Sequence, residues 1–148
     1  MIRGKRLPRD IRDRLRLLAQ EFERDSSVIA LYLFGSFARG EEGPLSDIDV
    51  AVLADRSMLS QRVGDPVVEY LGRINRVLGT DEVSFVLLNE APLVLRYEVI
   101  RGGQVLVDNR PRARLDFEVH TEDLYMDFRP HLEAYDEELL RQLTAATP

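Results

Sequence analysis

Two apolar, β-rich runs most constrain this chain: "VIALYLF" at 28–34 and "SDIDVAVLA" at 46–54. Both have strand length, and turn-forming residues lie between them, so both predict buried strands. Strands of this kind need apolar helix faces to cover them. Leu7, Ile11, Leu15, Leu18 and Phe22 recur at helical spacing and predict an amphipathic helix over about 8–24, with Pro8 in its first turn. "DPVVEYLGRINRVLG" at 65–79 carries its own boundaries: Asp65 as N-cap, Pro66 at the first helical position and Gly79 past the end.

The remaining segments complete the pattern. "EVSFVLLN" (82–89) predicts a third strand, "PLVLRYEVIRGG" (92–103) a helix closed by glycines, and "QVLVD" (104–108) a short edge strand. From Arg112 onward Phe117, Leu124, Phe128, Leu132, Tyr135, Leu139 and Leu143 predict one or two helices, with Pro130 as a kink or break. The order of elements predicts an α/β (α+β) domain with a small mixed sheet of about four strands flanked by helices. We expect a single domain over 1–148, with its core at about 8–108 and a helical C-terminal arm at about 112–145.

Composition narrows the function classes. The 148 residues are 45% hydrophobic and 31% charged, which suits a globular fold. No apolar run is long enough to span a bilayer, and "MIRGKRLPRD" does not read as a secretory signal. No membrane association is expected. The chain has no cysteine, which excludes disulfides and thiolate metal sites and fits a cytoplasmic location. His120 and His131 lie far in sequence from the Gly-Ser stretch, which argues against a His-based zinc site. A net charge of −6 argues against general nucleic-acid binding. The charge is nonetheless uneven. Residues 1–16 hold seven basic side chains, and residues 116–138 hold nine acids against Arg129. These are either two solvated helix faces or surfaces for a partner, which could be another protein or a second copy of the chain. Tyr125, Phe128 and Tyr135 are either core residues of the arm or anchors of such an interface.

The chemistry concentrates in "GSFARGEEGPLSDIDVAV". Strand alternation points Asp47 and Asp49 the same way, with Cα atoms about 6.6–7 Å apart, and sends Ile48 and Val50 to the opposite, apolar face. Two adjacent carboxylates repel unless a cation neutralises them. Hard oxygen ligands on a rigid strand suit Mg²⁺, which commonly takes one or two carboxylates plus substrate phosphates. Gly35 and Ser36 end the preceding strand in a turn whose backbone N–H groups can meet a polyphosphate, and Arg39 is within reach of one. A phosphate-binding turn beside a carboxylate pair describes a nucleoside triphosphate carried on Mg²⁺.

This combination resembles the signature of the nucleotidyltransferase superfamily that includes DNA polymerase β. Within that superfamily the chain is similar to the minimal MNT nucleotidyltransferases, small proteins often encoded beside a HEPN-domain partner. "VLLNEAPLVLRYEVIRGGQVL" (86–106) and "YMDFRP" (125–130) extend the likeness. The resemblance implies the polymerase β-like fold and a transfer reaction: a hydroxyl attacks the α-phosphorus of an NTP, and pyrophosphate leaves. It implies that Gly35 and Ser36 hold the β- and γ-phosphates, that Asp47 and Asp49 bind metal, and that ATP is the nucleotide. It also implies an antitoxin role, in which AMP is added to a tyrosine of a HEPN ribonuclease.

One position departs from the family. The third carboxylate is expected on the next strand, in a pattern like V-D-L-V-x-L, and here "VSFVLL" (83–88) puts Ser84 there. Glu82 shares a strand face with Ser84 and is the candidate replacement ligand, whereas Asp81 has the opposite parity. Two alternatives follow: a degenerate MNT domain that neutralises its partner by binding alone, or a transferase acting on a small molecule such as an aminoglycoside. The short remainder after the core leaves little chain to build the second.

Overall fold

The computed structural model describes residues 7–41 and 47–145. Ser46, predicted to open the second strand, and Arg3, Lys5 and Arg6 of the basic start lie outside the described residues. In chain order the elements are α1 (Ile11–Glu23), β1 (Val28–Phe34), α2 (Gly35–Ala38), β2 (Ile48–Ala54), α3 (Arg56–Ser60), α4 (Pro66–Leu78), β3 (Val83–Leu87), a 3-10 turn (Leu88–Glu90), α5 (Leu93–Gly102), β4 (Gln104–Asp108) and α6 (Pro111–Ala145). Among them no helix is long and apolar enough to cross a membrane.

The four strands form one mixed sheet in the order β3-β2-β1-β4. β1 pairs antiparallel with β2 and with β4, and β2 pairs parallel with β3 through the crossover of α3 and α4. β4 is an edge strand, as its length and composition predicted.

Alternation divides the sheet into two faces. Leu31, Leu33, Ile48, Val50 and Val52 meet Leu15, Leu18 and Phe22 of α1 and Tyr70, Ile74 and Leu78 of α4. Ala30, Tyr32, Ala51 and Leu53 meet Val99 and Leu95 of α5 and Phe117 of α6. The result is three layers, with the sheet between two helix pairs. Small residues on the second face let α5 approach closely. Gly103 closes α5 without a side chain: a Cβ there would lie 2.4 Å from the Val99 carbonyl oxygen of the helix's last turn and 3.3 Å from the Leu33 carbonyl of β1.

Local signals explain most boundaries. The Asp65 side chain accepts the Val67 N–H, Pro66 opens α4, and Gly79 closes it at φ +68°. α1 begins later than Pro8 suggested. The Asp10 side chain makes no capping bond and instead accepts from Arg14 Nε at 2.9 Å, so residues 8–10 form a turn ahead of the helix. The expected break at Pro130 does not occur: α6 runs unbroken through it. Pro130 removes the N–H that would bond the Met126 carbonyl, but this part of α6 is exposed and water can replace the lost partner. α3 was not foreseen. It rests on Asp55, whose side chain accepts the N–H groups of Ser57 and Met58.

Candidate nucleotide and metal site

The site forms where β1 ends. Phe34 is in register with Asp49, so the chain leaves β1 directly beside that carboxylate. Gly35 turns with φ +71°, and a Cβ there would fall 2.0 Å from Asp49 Oδ2. Only glycine lets the main chain lie against the carboxylate in this way. The single turn of α2 follows, with the Arg39 N–H on the Gly35 carbonyl and the Glu41 N–H on that of Ser36. Gln104 Nε2 donates to the Ala38 carbonyl at 2.7 Å, which ties the turn to the edge strand.

Asp47 stands at the entry of β2 and Asp49 inside it, both half-buried, while Ile48 and Val50 enter the core on the opposite face. Burial, and after it the negative charge of Asp47, push the Asp49 carboxyl above its usual range. A hydrogen bond from Ser84 and the charge of Arg39 act against that rise. Arg39 itself pairs at 3.0 Å with exposed Glu41. The carboxylate pair is therefore short of positive charge.

The parallel register sets Ser84 directly beside Asp49 on the neighbouring strand. The position expected for a third carboxylate thus holds a hydroxyl that donates to the second one. Glu82 lies two residues before Ser84, just ahead of β3, where its carbonyl accepts the Ile48 N–H at 3.0 Å. Its side chain is buried, and Oε1 has no hydrogen-bond partner. A buried carboxylate oxygen without a partner invites a water or a cation. Even so, among the described residues no three carboxylate or imidazole side chains gather closely enough to hold a metal ion. The donor set fits a cation that arrives with its own phosphate oxygens, held by Asp47 and Asp49.

A cavity of about 620 Å³ opens on the other side of the turn, and Gly35, Arg39, Glu98, Arg101, Tyr97 and Tyr125 contribute to its wall. Neither Asp47 nor Asp49 lines it; it adjoins them through Gly35. The rings of Tyr97 (α5) and Tyr125 (α6) stack at 3.7 Å and 4°. Arg101 Nη1 donates to the Tyr97 hydroxyl at 3.0 Å. Sequence reasoning missed Tyr97, Glu98 and Arg101. The i, i+4 pairing of Tyr97 and Arg101 was the available signal, but nothing local shows that this helix face turns toward Gly35.

The profile described as "Polymerase beta, Nucleotidyltransferase" matches residues 17–112. No curated protein matches the chain. Among solved structures, the fold is similar to a chain of a toxin–antitoxin structure with AMP-PNP, at 25% identity and a TM-score of 0.67, covering 86% of this chain and 98% of that one. A chain of a mutant form of the toxin–antitoxin MntA–HpeT is similar at 26% identity and a TM-score of 0.64, covering 84% and 95%. The fold is also shared, at 22% identity, a TM-score of 0.64 and 88% and 98% coverage, with a chain from the tri-AMPylated Shewanella oneidensis HEPN toxin in complex with MNT antitoxin. The profile match runs from within α1 to the first turn of α6 and so takes in the whole sheet, and the chain belongs to the polymerase β family of nucleotidyltransferases.

Proposed function

We propose that this chain is a Mg²⁺-dependent nucleotidyltransferase that moves AMP from ATP to a hydroxyl of a HEPN-type protein partner and so acts as its antitoxin in the cytoplasm. The observation that carries this reading is the Gly35 main chain lying against Asp49. That closeness brings a polyphosphate-binding turn and a carboxylate pair to one point. AMP-PNP in one similar toxin–antitoxin structure supports the nucleotide, and the tri-AMPylated toxin in another supports the acceptor class.

The residues take separate roles. Gly35 and Ser36 offer the turn to the β- and γ-phosphates, and Arg39 adds positive charge at its end. Asp47 and Asp49 would hold Mg²⁺, which neutralises the phosphate charge and favours departure of pyrophosphate. The acceptor oxygen forms the new bond to the α-phosphorus as the bond to the β-phosphate oxygen breaks. The acceptor's proton passes to solvent or to a nearby carboxylate. Glu82 is the candidate to assist at this point, since its buried Oε1 has no other partner.

A second reading has its own observation. Ser84 occupies the third-carboxylate position and engages Asp49 itself, which favours a degenerate domain that neutralises its partner by binding alone. Calorimetry of ATP binding with and without Mg²⁺ tests the nucleotide site. Mg²⁺-dependent binding by the native chain, abolished in Asp47→Asn/Asp49→Asn, is expected; no binding by the native chain overturns the transferase reading and leaves the fold as a partner-binding module. Transfer of label from α-labelled ATP to a HEPN toxin then separates them, because only the first expects it from the native chain.

A further inference from the structure

α6 leaves the domain as an acidic, apolar-striped arm. Its inner half packs against the sheet and α5 through Phe117, the buried Thr121 and the stacked Tyr125. Beyond Tyr125 every described residue except Leu132 is exposed. The buried seam does not end there. At 100° per residue Phe128, Leu132, Tyr135 and Leu139 continue the same face as Phe117, Thr121 and Leu124. From Phe128 to Leu139 they lay about 16 Å of stripe along the helix. Tyr135 is 65% exposed and Leu139 43%.

Charge borders the stripe. Asp127 and Glu138 lie along one edge and Asp136 along the other. The two arginines of the exposed half, beyond Tyr125, are taken within the helix: Arg129 by Glu133 and Arg141 by Glu138, each at 3.0 Å. Among the described residues no cation pairs with Asp127, Asp136 or Glu137. An apolar stripe between acidic borders is complementary to an apolar stripe between basic borders. A second copy docked arm to arm does not match this, since it would bring like-charged borders together.

We infer that the exposed half of α6 docks a helix of another protein, one with an apolar stripe flanked by lysines or arginines. The inference deepens the protein-partner reading above and rests on it only in taking the acceptor to be a protein. The occupant seats on Phe128, Leu132, Tyr135 and Leu139, and its cations meet Asp127 and Asp136. This holds the partner on the arm while the transferase turn stays free, which raises the local concentration of an acceptor hydroxyl at the site.

The test uses the full chain and two synthetic helical peptides. Both carry leucines at the a and d positions of their heptads; one has lysines at e and g, the other glutamates. In fluorescence anisotropy at physiological salt the lysine peptide is expected to bind at least tenfold more tightly. Leu139→Asp should weaken that binding at least tenfold, and Asp127→Lys/Asp136→Lys should reverse the preference. Equal binding of the two peptides, binding by neither, or a Leu139→Asp chain that binds like the native one overturns the inference. Circular dichroism checks that each variant keeps its helix content. Sedimentation should find a monomer, and a dimer lost in Leu139→Asp would overturn the inference by making the occupant a second copy. Mg·ATP calorimetry on the same proteins keeps the two readings apart: loss of nucleotide binding with peptide preference intact sinks only the transferase reading.

Discussion

A methyl group on Gly35 would point into Asp49 Oδ2, and two penalties then coincide. The left-handed backbone costs a residue with a Cβ about 1–2 kcal/mol, and the carboxylate must move. Gly35→Ala is therefore expected to lower Tm by several degrees and to weaken Mg·ATP binding at least tenfold, read by thermal melting and calorimetry. A melt shifted with nucleotide affinity intact would mean the turn does not hold phosphate. Ser84 is the complementary case. Replacing it with aspartate adds a third negative charge beside Asp49, which is already pushed above its usual range by burial and by Asp47. Ser84→Asp should melt below the native chain without metal and regain stability as Mg²⁺ is titrated. If the degenerate reading is correct, it should also gain transfer activity that the native chain lacks.

Among the elements, α4 and α6 show opposite relations between local signal and outcome. In α4 the cap, the proline and the closing glycine all agree, and the helix has the predicted limits. In α6 a proline sits in mid-helix and the helix continues. A proline costs about 3 kcal/mol relative to alanine in a helix interior, and around Pro130 no tertiary packing offsets that cost. Pro130→Ala should thus slow hydrogen exchange at the amides of the flanking turns, while the Tm of the sheet domain stays unchanged. An unaltered exchange rate would mean that neighbouring contacts, rather than propensity, hold this segment.

At the scale of the whole molecule, a few buried and half-buried polar groups join elements distant in sequence. Asp25, at the end of α1, takes Arg73 of α4 at 2.6 Å and the Ser27 hydroxyl at 2.6 Å. Ser27 in turn meets the Tyr70 hydroxyl at 2.7 Å. The Asn109 side chain donates to the carbonyls of Phe22 and Val28, tying the start of α6 to α1 and β1. Asp55, besides capping α3, pairs with Arg110, which also reaches the Ser26 carbonyl. Burial raises the Asp25 carboxyl, but the hydrogen bonds from Ser27 and Arg73 outweigh it and hold the group below its ordinary range. The bond from Ser57, then that from Arg110, depresses Asp55 further. Carboxyls depressed in the folded state bind fewer protons than in the unfolded chain. Their contribution is complete above the unfolded value of about 4 and is lost as pH falls through the folded values. Urea titrations should show stability dropping below about pH 4. Asp25→Asn should be less stable at pH 7 by about 2 kcal/mol and show a shallower acid limb. An acid limb identical to the native one would remove Asp25 from this linkage.

Much of the fold is legible in the sequence because periodicity and capping are local. Val28–Phe34 and Gln104–Asp108 have the predicted limits, and the alternation of Asp47, Ile48, Asp49 and Val50 assigns each to its face before any neighbour is known. The Gly35 turn and the carboxylate pair are likewise written into one stretch of chain. The short cap-driven α3, the persistence of α6 through Pro130 and the orphaned Oε1 of Glu82 were not legible, since each depends on which groups find partners or water around them. Nor could the chain alone show that Tyr97 and Arg101 share a cavity with Gly35. By itself the sequence determined which residues form strands, where the turn lies and which side chains share a face, because these follow from chain geometry over a few residues. Only the tertiary structure decided that Ser84 stands beside Asp49 and that Gly35 touches it, because register and contact between strands are set by how the helix layers pack across the sheet.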